Sequence, residues 1–318
     1  MEKPTVLLKK SRDFSDVINA TFAFISQEFK NYGKVFLYYA GIPIVLAAIA
    51  GAFFSGTEMS KMFSQMGTTE YPSEIFGASY FFNVALIYLL SMVVYVFVSG
   101  LTAAYLHLYT VKGRNGFEPN EVWRCFTTFV WKLVGFYLLF FFGIMLFGGF
   151  VAAILGSLSV VGAGGVGSAV VIFFSMLIFL VLVLYVSVPI SMGYLVIYTE
   201  SLSLGGLFKR VFELVKGFWW QSFGVIIVLL LIYSIVGSLF SIPIFISAIL
   251  QGVLTATGGD PIVGENMTFT MILVSLIGTL GQFIMYPIIL IGIGVQYYSL
   301  REQKDNEGLL EKVAEMAE

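Results

Sequence analysis

Six long apolar runs constrain the fold of this chain more than any other feature of its sequence. A helix needs roughly 20 residues to cross a hydrocarbon core about 30 Å thick, and each run is long enough. Backbone amides and carbonyls must be paired inside a bilayer, and a helix pairs them within one segment. The sequence therefore predicts an all-α fold, an integral membrane helical bundle of six transmembrane helices in three hairpins, with spans near residues 35–54, 80–111, 133–155, 169–198, 223–250 and 268–296.

The composition supports a membrane protein. Charged residues make up 11% of the chain and hydrophobic residues 58%, with a mean hydropathy of +0.93. Soluble domains carry roughly 25% charged residues, so this chain has too few to cover a water-soluble surface. We expect residues 1–298 to form a single transmembrane domain and residues 299–318 to form a charged cytoplasmic tail. The N-terminal region has no short apolar core followed by a cleavage site, so we expect the first span to be retained.

Basic residues lie almost entirely on one side of the predicted spans. Every Lys and Arg except Lys61 stands before span one, three or five, or after span six. Basic connections are retained in the cytoplasm, so both termini are predicted to be cytoplasmic in a multi-pass protein of the inner (plasma) membrane. All four tryptophans lie on the same side near the beginnings of spans, where their rings favour the headgroup layer.

Each hairpin is predicted to be preceded by a cytoplasmic amphipathic helix. Apolar residues recur at three- and four-residue spacing near residues 14–29, 123–133 and 204–215, with polar and charged residues between them. A stripe of this kind flanked by Lys and Arg is typical of a helix that lies in the membrane interface. The same stripe also suits a helix packed under the bundle, so both interpretations stay open.

These segments and the hairpins that follow them indicate a threefold internal repeat, near residues 13–111, 119–199 and 203–298. The returning spans of the first two units align without gaps, starting from Gly100 and from Pro189. The identical pairs in this alignment include Tyr105 with Tyr194, Tyr109 with Tyr198 and Thr110 with Thr199.

Prolines lie within four of the predicted spans. A proline removes a backbone hydrogen bond, which favours a kink or a hinge. A static kink is the simpler interpretation, since membrane helices often contain proline without any gating role. The sequence therefore predicts local kinks at Pro43, Pro189, Pro243 and Pro287.

Asp, Glu, Lys and Arg are missing from the interiors of the predicted spans. Such residues are costly in a bilayer and mark proton relays or ion sites, so their absence argues against a proton- or sodium-driven transporter. His107 is the only histidine and Cys125 the only cysteine, which argues against a metal cluster and a disulfide framework. The G-x-G-x-x-G pattern from Gly162 to Gly167 lies in a predicted external turn, where it does not indicate a dinucleotide site. We expect no cofactor and no enzyme activity.

One segment resembles a known family. Between Glu200 and Gly224, an acidic residue ends a span, a basic and aromatic helix follows, and a Lys-Gly-aromatic-Trp sequence leads into the next span. This pattern resembles bacterial polytopic proteins related to the membrane domain of glycerophosphoryl diester phosphodiesterases. The resemblance implies a multi-span domain with cytoplasmic re-entrant or interfacial helices. It does not imply phosphodiesterase activity, because that activity belongs to a separate soluble barrel that this sequence lacks.

The candidate functional residues are basic and aromatic residues near the cytoplasmic ends of the spans. We call this set the collar: Lys30, Lys34, Trp123, Arg124, Trp131, Lys132, Lys209, Arg210, Lys216, Trp219 and Trp220. Each basic residue near an anionic surface is worth about 1 kcal/mol, and tryptophan fixes the depth of a helix. The leading hypothesis is a non-enzymatic protein that organises membrane lipids, in particular anionic ones, or a membrane partner through the collar. The partner would be another membrane protein or a second copy of the chain, and no nucleic acid is expected. The alternative is a small permease or channel for an apolar or zwitterionic solute.

Overall fold

The described chain is almost entirely helical. The computed structural model describes residues 5–64, 78–161, 166–200, 202–257 and 265–306. Within these ranges it contains helices and no strand, which confirms the predicted all-α class. The helices are α1 (Phe14–Ser64), α2 (Ala78–Lys112), α3 (Pro119–Val161), α4 (Val166–Ile190), α5 (Gly193–Thr199), α6 (Leu204–Val215), α7 (Trp219–Ala256), α8 (Glu265–Met285) and α9 (Pro287–Asp305).

Six stretches of these helices are long and apolar enough to cross a membrane, which is the architecture of a multi-pass membrane protein. The stretches are Phe14–Glu58, Tyr80–Lys112, Pro119–Val151, Val170–Thr199, Trp219–Pro243 and Phe269–Asp305. The fourth stretch consists of α4 and α5, and the sixth consists mainly of α8 and α9. Each stretch overlaps one of the predicted spans, so the six predicted spans are confirmed as helices of spanning length.

The amphipathic helix predicted before each hairpin is a separate element only before the fifth span. That element is α6, which is followed by Gly217, whose φ of 88° lies in the left-handed region that favours glycine. The segments before the first and third spans are instead continuous with α1 and α3, which are 51 and 43 residues long. No proline separates either segment from its span, so the helix continues. This corrects the prediction of a separate helix for these two hairpins.

Two of the predicted kinks are breaks between helices. Pro189 is the second-last residue of α4, and Pro287 is the first residue of α9. A proline lacks a backbone N–H, so a helix readily ends or restarts there. After the first break, α5 begins at Gly193, where a Cβ atom would lie 2.2 Å from Cζ of Phe136 on α3. The other two prolines lie inside continuous helices, Pro43 in α1 and Pro243 in α7.

Contacts divide the chain into two compact units. The first unit contains Met1–Ala20, Ala103–Ile226 and Ile293–Glu318, and the second contains Thr21–Thr102 and Ile227–Gly292. In the first unit, Tyr297 and Tyr298 of α9 are buried. In the second, Phe24 is buried, and the Tyr32 hydroxyl lies 2.7 Å from the Thr102 hydroxyl. Each unit therefore has its own core, and the single domain over residues 1–298 stays a prediction.

The segment before α1 is anchored within the first unit. The backbone N–H of Arg12 donates to the Ser299 hydroxyl oxygen at 2.9 Å. The Arg12 carbonyl accepts hydrogen bonds from the side-chain amides of Gln221 and Gln303, both at 3.2 Å. Backbone groups of an irregular segment need such partners when they are buried. Side chains of α7 and α9 therefore fix the chain just before its first helix.

Candidate functional site

An apolar cavity lies between α3, α4 and α6 of the first unit. Its volume is about 440 Å³, within the range of roughly 300–1,000 Å³ that is typical of small-molecule sites. Ile144, Phe147 and Leu182 keep 38%, 42% and 43% of their surfaces exposed, so the cavity is open to its surroundings. All of its lining residues are apolar: Leu139, Phe140, Gly143, Ile144, Phe147, Phe179, Leu182, Val183, Val186, Ile190, Phe208 and Phe212.

The order of residues in α6 makes this helix one wall of the cavity. Ser203 caps the helix by accepting a hydrogen bond, at 3.3 Å, from the backbone N–H of the third helical residue. Successive residues are about 100° apart around a helix, so Leu207 and Val211 share a face, and that face is fully buried. Phe208 and Phe212 follow on the next face and line the cavity.

Four charged side chains, one of them on α6, form ion pairs that hold α6 in place. Arg210 Nε donates to both carboxylate oxygens of Glu200, at 2.9 and 3.2 Å, and Arg210 Nη2 donates to Asp305 Oδ2. Arg301 Nε lies 3.8 Å from a Glu200 oxygen and 3.9 Å from an Asp305 oxygen. The four side chains are between 14% and 28% exposed. We call Glu200, Arg210, Arg301 and Asp305 the ion cluster, which links α6 to the end of α5 and the end of α9.

The ion cluster is balanced in charge. Burial by itself lowers the pKa of Arg210, but the hydrogen bonds and charges of Asp305 and Glu200 outweigh burial and raise this pKa above its ordinary value. The Tyr297 hydroxyl donates a further hydrogen bond to Glu200 Oε1 at 3.1 Å. Partly buried charges are costly unless they are paired, and here each carboxylate faces an arginine. The cluster therefore acts as a structural clamp on α6.

An aromatic stack connects the beginning of α7 to α4. The Trp219 ring stacks on Phe223 with the centroids 5.0 Å apart and on Tyr185 with the centroids 5.7 Å apart. Trp219 Nε1 also donates to the Tyr185 carbonyl at 3.1 Å. Tyr185 directly precedes Val186, which lines the cavity. The turn between α6 and α7 is therefore held beside the part of α4 that forms a cavity wall.

The structure divides the collar into residues with specific partners and exposed residues. Lys30 and Lys34 belong to the second unit, and the remaining collar residues belong to the first. The half-buried members have contacts within the chain: Arg210 in the ion cluster, Trp219 in the aromatic stack, Lys132 with the Leu202 carbonyl, and Trp123 with the Phe126 ring. The exposed members are Lys30, Lys34, Arg124, Trp131, Lys209, Lys216 and Trp220. Lipid contact by the collar stays a prediction.

Neither the cavity nor the ion cluster is predicted by the sequence pattern. Phe208 belongs to the predicted apolar stripe, but a stripe does not show which of its residues face an open space. Glu200, at the end of a span and ten residues before Arg210, is the one sequence signal for the cluster. Asp305 lies 95 residues beyond Arg210, in the predicted tail, where α9 continues as a helix.

The lining of the cavity suits retention of an apolar ligand. It contains no hydroxyl, thiol, imidazole or carboxylate that would act as a nucleophile or a base. Across the described ranges, no group of three or more His, Cys, Asp or Glu side chains is placed to hold a metal ion. The cavity can therefore hold a ligand by its shape and its apolar surface. The ion cluster and the aromatic stack each include a residue of a helix that forms its walls, Arg210 of α6 and Tyr185 of α4.

Comparison with known proteins assigns no family to the chain. No family model matches the sequence, and neither a curated protein nor a solved structure matches it. The resemblance of residues 200–224 to the membrane domain of glycerophosphoryl diester phosphodiesterases stays a prediction. The fold defines the class, an α-helical protein with six candidate membrane spans. A function can be inferred only from the cavity and its surroundings.

Proposed function

We propose that this chain is a non-enzymatic, multi-pass protein of the bacterial inner membrane that binds a lipid, with one acyl chain in the cavity between α3, α4 and α6. The cavity carries the proposal, because its lining is wholly apolar and two of its walls belong to helices of spanning length. The one-sided distribution of Lys and Arg supports cytoplasmic termini, with α6 at the cytoplasmic interface.

The size and the lining of the cavity suit an acyl chain. Its volume of about 440 Å³ lies within the range that is typical of small-molecule sites, and its whole lining is apolar. A wholly apolar lining also leaves a polar solute without hydrogen bonds. The cavity therefore favours a lipid over the zwitterionic solute of the alternative hypothesis.

Filling the cavity tests the proposal. Gly143 lines the cavity, and a Cβ atom there would meet no atom within 4 Å, so Gly143→Phe places a ring in the cavity without a backbone clash. Gly149 is on the same helix, is equally open and does not line the cavity, so Gly149→Phe is a matched control. The full chains would be purified in mild detergent and their bound lipid measured by native mass spectrometry.

We expect the wild type and Gly149→Phe to retain one lipid per chain. Gly143→Phe should lose at least about fivefold in lipid affinity, which corresponds to about 1 kcal/mol. Helix content from circular dichroism and elution volume in gel filtration should be equal in the three proteins. Equal lipid retention in the two variants would contradict the proposal.

A further inference from the structure

The cavity by itself does not distinguish one membrane lipid from another. Acyl chains in a bilayer are already in an environment as apolar as leucine side chains, so transfer into an apolar cavity changes their environment little. Selectivity must come from polar groups near the cavity that contact the headgroup. In the first unit, such groups lie on α6, on the turn that follows it and at the end of α9.

Two lysines, Lys209 on α6 and Lys216 directly after it, lie next to the cavity wall. Lys209 is about 100° around the helix axis from Phe208 and about 60° from Phe212, and Lys216 is the C-cap residue four positions after Phe212. Both lysines are exposed, and the Lys209 side chain keeps 80% of its surface. Glu213 lies 3.7 Å from Lys209 and is itself 52% exposed. Such an exposed pair is weak, so Lys209 is available to an anion.

A third lysine approaches the same turn from α9. Lys304 Nζ lies 5.4 Å from the centre of the Phe218 ring, which is a cation–π contact. Phe218 is in the turn between α6 and α7, two residues after Lys216. Lys304 is exposed, as Lys216 is. The turn therefore brings together two lysines, Lys216 and Lys304, that are far apart in the sequence.

This turn is close to the cavity. Trp219, directly after Phe218, stacks on Tyr185 and donates a hydrogen bond to its carbonyl at 3.1 Å. Tyr185 adjoins Val186 in the cavity wall. The three lysines therefore lie near the walls of the cavity formed by α4 and α6, where the headgroup of a lipid with its chain in the cavity would project.

The neighbouring arginines are less suited to contact a lipid. Arg210 and Arg301 are 20% and 17% exposed and lie against the carboxylates of Glu200 and Asp305. The ion cluster is balanced in charge and adds no net attraction. The positive charge beside the cavity therefore comes from the lysines.

We infer that this site, if it holds an acyl chain as proposed above, selects a phospholipid with a net negative headgroup from the surrounding bilayer, through Lys209, Lys216 and Lys304. The phosphate-bearing headgroup lies against these lysines, and one acyl chain lies along Phe208 and Phe212. This narrows the predicted lipid contacts of the collar to two of its members and adds Lys304.

Two lipids that differ only in the headgroup test the inference. Purified full-length protein would be titrated with phosphatidylglycerol and with phosphatidylcholine of identical acyl chains, and binding would be followed by native mass spectrometry. One variant replaces Lys209, Lys216 and Lys304 with glutamine. The matched control replaces three exposed cations elsewhere with glutamine: Lys30, Lys34 and Arg124.

We expect the wild type and the control to prefer phosphatidylglycerol. Each lysine should raise the affinity for phosphatidylglycerol relative to phosphatidylcholine by up to about fivefold. The site variant should therefore lose about tenfold or more of this preference, and its affinity for phosphatidylcholine should stay the same. Equal wild-type affinities for the two lipids, or an equal loss in the control, would overturn the inference about the headgroup. In that case the effect of Gly143→Phe on binding still decides the proposed function separately.

Discussion

Replacing Arg210 with glutamine removes the cation that Glu200 and Asp305 share in the ion cluster. Arg301 is then the remaining arginine of the ion cluster, with its Nε 3.8 and 3.9 Å from the two carboxylates. Glutamine keeps an apolar stem and a polar end, so the change mainly deletes charge and the paired hydrogen bonds to Glu200. The variant therefore measures what the ion cluster contributes to stability while the packing of the residue 210 side chain on α6 is largely kept.

The size of the effect follows from burial. Removing one partner of a buried ion pair costs about 3–5 kcal/mol, whereas an exposed pair contributes about 0–1 kcal/mol. The cluster side chains are between 14% and 28% exposed, and Arg301 compensates in part. We therefore expect Arg210→Gln to lower the free energy of unfolding by about 2 kcal/mol. Lys209→Gln, which breaks a pair that is 80% and 52% exposed, is the control and should cost less than about 0.5 kcal/mol.

The assay is reversible unfolding in mixed micelles, with increasing sodium dodecyl sulfate and tryptophan fluorescence as the signal. The double variant Arg210→Gln/Glu200→Gln also removes one unpaired carboxylate. Its cost should therefore be lower than the sum of the two single costs by about 1 kcal/mol or more. Strictly additive costs, or equal effects of Arg210→Gln and Lys209→Gln, would refute the clamp.

Two further predictions concern packing and orientation. Gly193→Ala should destabilise the protein by about 1–3 kcal/mol, because its Cβ would lie 2.2 Å from Cζ of the buried Phe136. Gly205→Ala, where a Cβ meets nothing within 4 Å, should instead stabilise α6 by up to about 1 kcal/mol, and thermal unfolding that ranks the two variants in the opposite order would contradict this packing. For orientation, Lys209→Cys in a Cys125→Ala background should react with a membrane-impermeant thiol reagent only after cells are permeabilised, whereas labelling of intact cells would place α6 outside.

The six spans are predictable because length and hydrophobicity are properties of long stretches, to which many residues contribute. The ends of helices depend on single residues and are less predictable. Pro189 and Pro287 lie at breaks, whereas Pro43 and Pro243 lie inside continuous helices, although all four have similar sequence surroundings. Neighbouring helices can supply the contacts that compensate for a missing backbone hydrogen bond, and these contacts cannot be deduced from the local sequence.

The site is less predictable than the fold because its contacts join residues that are distant in the sequence. Arg210 pairs with Asp305, 95 residues away, and Lys304 contacts Phe218 across a similar separation. A topology prediction counts the Lys and Arg residues on each side of the membrane, so it assigns all of these cations the same orienting role. Only the structure distinguishes Arg210, which is held by carboxylates, from Lys209 on the same helix, which is exposed.

The separation of α6 from its span explains why a cavity of this kind forms beside the third hairpin's amphipathic segment. The corresponding segments of α1 and α3 continue into their spans and must share the axes of those spans. α6 is separated from α7 by the turn at Gly217 and from α5 by extended backbone at Glu200 and Ser203. Its axis is therefore independent of its span, and it packs against α4 and α5 of the preceding hairpin. We therefore expect the predicted threefold repeat to give one lipid site of this kind and not three equivalent ones. Native mass spectrometry should accordingly detect one tightly held lipid per chain, and three equivalent lipids would require α1 and α3 to form cavities by a different arrangement.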